Sequence, residues 1–226
     1  MYIPKHFRED DLAVLQKLMR DYSFAILVST QEDGVPVATH LPFTYDTNPA
    51  PYGTLRAHMA LGNSHWRAFQ EERESLVIFQ GPHTYISPSW YDVELSVPTW
   101  NYATVHAYGK PRIITDHAEL YEHLKTLIAS HEAQFPKPWP FQLPTDYVEK
   151  MMKGIVGFAI EITRLEGKFK MSQNRSLHEQ ERVIEELSSA TDATAREVAT
   201  AMRERLAKRQ IEKAGARESS FKPRSL

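Results

Sequence analysis

Two β-type runs separated by a turn set the strongest constraint on this chain. FAILVST (24–30) and VPVATHLPF (35–43) are rich in apolar and β-branched residues, and EDG (32–34) between them supplies turn chemistry. They predict a hairpin, and a short connection of this kind makes the pairing antiparallel. More β-type stretches follow: TLRAHMA (54–60), SLVIFQG (75–81) and TWNYATVHAYGKPRIIT (99–115), the last with a bend at Gly109–Pro111. IVGFAIEITRLEGKFKM (155–171) reads as a strand with a turn near Glu166–Gly167. Helical spacing appears over 9–22, where Leu12, Leu15, Leu18, Met19 and Tyr22 recur. Helices are also predicted from an Asp116 cap to about His131, over 145–153, from Ser176 to about Leu187, and from Ala193 to about Lys213. Asn63 or Ser64 caps a short helix carrying Trp66 and Phe69, and the proline-rich FPKPWPFQLP (135–144) is a surface loop. Strands and helices do not alternate as a doubly wound sheet requires. The predicted class is α+β: six or seven strands, mostly antiparallel, in a closed or nearly closed barrel.

The chain has 226 residues, room for one ordinary domain with an appendage. It has no cysteine, which excludes disulfides, thiolate catalysis, zinc fingers and iron–sulfur clusters. No apolar stretch is long enough to span a membrane, and MYIPKHFREDD does not read as a secretory signal. A cytoplasmic location is the default expectation. The net charge is -2, yet the stretch from Arg196 to Leu226 holds nine basic and four acidic residues. Such a segment could meet DNA or RNA, but a run that mixes both signs is more often a solvated helix with a frayed end. AGARESSFKPRSL (214–226) is expected to fray.

Neither GxGxxG, GxxxxGK[ST] nor GxSxG occurs, and HEAQF (131–135) lacks the second histidine of a zinc helix. His40, His58, His83 and His106 lie on or beside predicted strands with no spacing that ties them together, so no metal site is assigned. No catalytic base stands out, and no catalytic residue is named.

Two segments carry the chemistry that is present. GPHTYISPSWY (81–91) and VPTWNYATVHAYG (97–109) gather Trp90, Trp100, Tyr85, Tyr91, Tyr102 and Tyr108, interleaved with His83, Ser87, Asn101 and His106. Flat aromatic faces with hydrogen-bonding edges suit a planar heterocycle; they equally suit an aromatic core and a subunit interface. GKFKMSQNR (167–175) places Lys168 and Lys170 two apart, hence on one face of a strand, with Ser172 and Gln173 beyond. Two cations beside hydroxyl and amide groups suit a phosphate, and a solvated strand end is the plain alternative.

MYIPKHF, HLPF (40–43), GPHTYISPSWY, VPTWNYATVHAYG and IVGFAIEITRLEGKFKMSQNR together resemble the PaiB family of FMN-binding negative transcriptional regulators, over about residues 1–190. That family is similar to the split-barrel flavoproteins. The resemblance implies a six-stranded antiparallel split barrel with peripheral helices over 1–190 and a homodimer with DNA as a candidate partner; the C-terminal helix and basic tail over 191–226 lie outside it and are read from the residues alone. It implies FMN as cofactor, bound by His58, Asn63, Trp66, Trp100, Asn101, Lys168, Lys170, Ser172 and Gln173. HMALGNSHW (58–66) departs from the family pattern HxARANPxW: Leu61 stands in place of Arg and Ser64 in place of Pro. FMN binding weaker than in relatives is therefore expected. Split barrels host several functions, so a flavin-dependent oxidoreductase or haem-handling protein, and a cofactor-free dimeric interaction protein, remain the alternatives.

Overall fold

Alternation of apolar and polar residues in the predicted hairpin fixes which face each strand buries. In the computed structural model, which describes residues 1–49, 51–69, 73–91 and 93–220 and the side chains as far as Ile211 in the last helix, that hairpin is β2 (Phe24–Thr30) and β3 (Pro36–Pro42). They pair antiparallel from Phe24↔Pro42 to Thr30↔Pro36. Ala25, Leu27 and Ser29 point inward. Gly34, at φ 84°, takes the left-handed conformation the turn requires.

The remaining elements follow in chain order. Before the hairpin come β1 (Arg8–Glu9) and α1 (Leu12–Asp21), whose Asp11 cap accepts from Ala13 N. After it come β4 (Thr44–Asp46), β5 (Thr54–Ala60), a 3-10 turn at Ser64–Ala68, β6 (Ser75–Ile86), β7 (Thr99–Gly109) and β8 (Pro111–Ile113). Then come α2 (His117–Glu132), α3 (Thr145–Met152), β9 (Ile155–Glu161), β10 (Arg164–Lys170), α4 (Leu177–Ser188) and α5 (Ala193–Ser220). The strands form a six-stranded sheet in the order β1-β10-β7-β6-β2-β3 and a four-stranded sheet in the order β4-β5-β9-β8. β2 pairs antiparallel with β6, and β5 with both β4 and β9.

The six or seven strands expected from sequence thus resolve, among the described residues, into ten. Each long β run is cut where the chain changes sheet. The cut at Lys110 is the expected bend. The cut in 155–171 falls at Ile162–Thr163, not at Glu166–Gly167, which lies inside β10.

The chain forms two compact units. One holds Met1, Glu9–Gln80 and Thr104–Gly167; the other holds Tyr2–Arg8, Gly81–Ala103 and the chain from Lys168 onward. In the first, Leu27, Leu55, Val77, Phe79, Phe158 and Ile160 are fully buried. Phe43 sets its ring edgewise to Phe79 and Phe158, at centroid distances of 6.0 and 6.1 Å. In the second, α4 opens with a capping box, Ser176 and Glu179 each bonding the other's backbone. α5 packs on α4 through Ala195, Val198, Ala199 and Met202, a buried stripe at helical spacing. α5 continues to Ser220, past the predicted end at Lys213; residues 221–226 of the expected frayed tail lie outside the described residues. Among the described residues no helix is long and apolar enough to cross a membrane.

Candidate functional site

The nine residues singled out in the sequence divide between the two units. Trp100, Asn101, Lys168, Lys170, Ser172 and Gln173 belong to the second; His58, Asn63 and Trp66 belong to the first.

In the second unit, strand alternation sorts the six into two groups. Asn101 faces inward with no exposed surface. Its amide donates to Ser172 Oγ at 2.9 Å and to Met202 Sδ at 3.4 Å, while Ser172 Oγ donates back to Asn101 Oδ1 at 3.2 Å. Ser172 sits at φ 62°, a conformation that costs a non-glycine residue roughly 1 kcal/mol or more. The reciprocal pair with Asn101 helps hold it there. Gln173 completes the turn, its Oε1 accepting from Met171 N at 2.6 Å and its Nε2 donating to Phe169 O. These three side chains spend their hydrogen bonds on the turn that ends β10.

The outward group is different. Trp100 and Tyr102 lie on one face of β7, and Trp100 is 52% exposed. His83 stacks on Trp100 at 6.2 Å and 30°, and Tyr85 meets it edgewise at 6.3 Å. Lys168 Nζ lies over the rings of Tyr102 and Tyr2, at 5.3 and 5.7 Å. Lys170 Nζ donates to Trp100 O at 2.9 Å and to Thr99 Oγ1. Burial, helped by the Lys168 charge, holds the Lys170 ammonium below the usual lysine range. Lys170 thus meets the Trp100 backbone, and Lys168 lies beside Tyr102 on the same strand face. An ammonium has three donors, so Lys170 keeps one beyond its two partners. This donor set fits a phosphorylated planar ring: cationic N–H groups for the phosphate, and a half-exposed indole for the ring face.

In the first unit, Asn63 and Trp66 hold the segment after β5. Asn63 Oδ1 accepts from His65 N at 3.0 Å, capping the 3-10 turn, and its amide donates to Thr39 Oγ1 at 3.3 Å. Trp66 Nε1 donates to Leu61 O at 3.2 Å. Between them His65, fully buried, carries Thr39 Oγ1 on Nδ1 at 2.7 Å and Ser29 Oγ on Nε2 at 2.9 Å. Ser29 bonds Ser75 Oγ at 2.7 Å. Burial keeps His65 below its ordinary pKa, as an uncharged imidazole. Leu61, where the family pattern has Arg, is 49% exposed.

His58 does not join this chain. Its Nδ1 lies 3.2 Å from Nε2 of His123, a buried residue of α2 that the sequence reading missed. Burial, together with the neighbouring His58 and Arg56, drives His123 down to about 4, and burial lowers His58 as well. The available signal was the inward stripe Leu120, His123, Leu127 at helical spacing. Ser29, Thr39, His65 and Ser75 were also missed. For Ser29, Thr39 and Ser75, hydroxyls on strand positions were the only mark in the sequence; His65 had none beyond its place next to the Asn63 cap.

A family model described as "Putative FMN-binding domain" matches residues 1–164. The protease synthase and sporulation protein PAI 2 of Bacillus subtilis (strain 168) is 39% identical over 213 residues, covering 93% of this chain and 100% of that protein. Among solved structures, the flavocytochrome Anf3 of Azotobacter vinelandii superposes with a TM-score of 0.53 at 14% identity, over 74% of this chain and 72% of that one. The FAD and haem binding protein of Mycobacterium smegmatis gives a TM-score of 0.53 at 17% identity, over 76% and 78%. At these identities the structural likeness establishes the fold alone.

Proposed function

Because the chain belongs to the PaiB family, we propose that it is a homodimeric cytoplasmic flavoprotein that represses transcription. In this reading the antiparallel strands close into a six-stranded split barrel within residues 1–190, and the segment 191–226 is an extension bearing the basic charge that would meet DNA. The observation that carries the reading is the outward face of the second unit. There Lys168 and Lys170 stand on alternate positions of β10 beside Trp100, the donor set a flavin phosphate and ring would use. Bound FMN would supply a redox-active ring. The protein's own contribution is to bind and orient it: Lys168 and Lys170 neutralise the phosphate, and Trp100 covers the ring. Asn101, Ser172 and Gln173 act behind them, fixing the turn that aims Lys170.

The test is a titration. The protein as purified should absorb in the flavin bands, or take up FMN when it is added. Lys170→Ala should weaken that binding by about 1.5–3 kcal/mol, the scale of a charge-assisted hydrogen bond. Leu61→Arg should tighten it, because it restores the cation of the family pattern. Equal FMN affinity in all three proteins would remove the assignment. A salt-dependent shift of promoter DNA supports the regulator reading; NAD(P)H oxidation by the reconstituted protein would move it to an oxidoreductase.

A further inference from the structure

An apolar pocket of about 200 Å³ lies in the first unit, lined by Leu124, Phe141, Val148, Met152 and Ile155, with His58 as its polar member. Val148 and Met152 are buried, and they belong to the core cluster on which Leu124, Phe141 and Ile155 pack. The floor of the pocket is therefore part of the folded core.

The polar member is fixed in one protonation pattern by what stands behind it. β4 pairs with β5 so that Thr44 lies opposite Arg56. Thr44 Oγ1 donates to the Arg56 carbonyl at 3.4 Å, and a carbonyl only accepts. With its proton so used, Thr44 Oγ1 accepts from Nδ1–H of His123 at 3.4 Å. An uncharged imidazole carries one N–H, so His123 Nε2 is an acceptor, and His58 Nδ1–H donates to it at 3.2 Å. The same count leaves His58 Nε2 as a bare lone pair, with no hydrogen-bond partner among the described residues. Burial disfavours charge on both imidazoles, so each carries a single N–H.

We propose that this pocket is a binding site for a small apolar molecule carrying one hydroxyl donor, of the alkylphenol class, with its O–H directed to His58 Nε2. Size supports the class: a benzene ring fills a cavity of ~150 Å³, and this pocket, about 200 Å³ and open to solvent, takes a ring with a short substituent at its mouth. Polarity supports it too. Side chains of Leu, Ile, Val, Met and Phe offer nothing to a charged or multiply polar ligand, whereas one acceptor in apolar walls rewards one donor.

The test uses the full chain and three probes: 4-ethylphenol, ethylbenzene and 4-ethylanisole, which keeps the oxygen and lacks the donor. Methyl resonances of Leu124, Val148 and Ile155 should shift saturably with 4-ethylphenol. The affinity ratio of 4-ethylphenol over 4-ethylanisole should fall by about fivefold in His58→Phe, the scale of one hydrogen bond. Binding of all three should be lost in Val148→Trp, which fills the pocket. In the wild type, the ¹⁵N resonance of His58 Nε2 should be that of an unprotonated nitrogen and should move on adding 4-ethylphenol but not ethylbenzene, so the assignment does not depend on any variant folding. Absence of saturable shifts at millimolar probe, or a ratio unchanged by His58→Phe with a silent Nε2 resonance, would overturn the proposal. His58 belongs to the first unit and the proposed flavin donors Lys168, Lys170 and Trp100 to the second, so FMN binding is read separately, from the flavin spectrum.

Discussion

His65 has no exposed surface and one hydrogen bond on each ring nitrogen, to Thr39 and to Ser29. Buried polar groups are costly when left unmatched. His65→Leu should therefore destabilise the protein by about 2–3 kcal/mol in urea unfolding, because Ser29 and Thr39 each lose a buried partner and keep, among the described residues, only Ser75 and Asn63. His123 makes a different prediction. Its pKa falls from 6.5 to about 4 on folding. Above 6.5 both states are uncharged and its effect is nil; below that the unfolded chain takes a proton that the folded one refuses, so stability falls as pH drops to about 4. The expected loss is about 3 kcal/mol across that window. His123→Gln should flatten the pH dependence, as urea midpoints at pH 7, 5.5 and 4 will record. Asn63 was singled out in the sequence; Ser29, Thr39, His65, Ser75 and His123 were not legible there as a site. A histidine at an inward helix position, or a serine on a strand, takes its meaning from a partner dozens of positions away, and periodicity reports only which way it faces.

At the scale of elements, capping and turn chemistry were local and therefore readable. Asp116, Ser176 and the Asn63 cap stand where the sequence places them, each accepting from a backbone N–H within three residues. Ser176→Ala should cost about 1 kcal/mol by removing one arm of the capping box, a change measurable in thermal unfolding. Gly167 was misread for the opposite reason. A Cβ there would stand 2.2 Å from Leu15 Cδ2 and 2.8 Å from Glu9 O. The glycine lets β10 approach α1 and the end of β1; it does not make a turn. Glycine in a strand signals either a bend or a close approach, and only the distant neighbour decides. Gly167→Ala should destabilise by about 1–3 kcal/mol through overpacking, with the strand itself retained in circular dichroism. α5 shows the same limit. The sequence reading allowed a solvated helix, yet α5 packs on α4 and Val198, Ala199 and Met202 are buried. A truncation intended to test the basic tail should therefore begin after Ile211, since one beginning at Arg196 would remove this buried stripe.

At the scale of the whole molecule, the second unit leaves apolar surface uncovered. Leu95 is 90% exposed, Val97 70% and Trp100 52%, and they lie within six residues of one another. Exposed apolar side chains gathered in this way mark an interaction site. The occupant proposed is a second copy of the chain, since a homodimer is what the family resemblance implies and isologous pairing lets one patch cover itself. A stable pair buries more than ~1,000 Å² in total, more than these three side chains provide, so the contact must extend over the neighbouring aromatic face of β6 and β7. Sedimentation at micromolar concentration should then show a species of twice 26.0 kDa. The double variant Leu95→Asp, Val97→Asp, which spares the ring-covering Trp100, should raise the dimer dissociation constant by about a hundredfold or more, because it puts charge into a contact that must be desolvated. Both positions are exposed in the chain, so the fold should survive the change and circular dichroism should be unaltered. If the wild type sediments as a 26.0 kDa species, the patch is not a self-contact. If it sediments as a pair and the double variant does too, the pair is held elsewhere. FMN titration of the separated variant then divides the two roles of this face. Binding retained through Lys168 and Lys170 would show that one chain holds the phosphate by itself, and binding lost with the pair would show that the ring needs both copies.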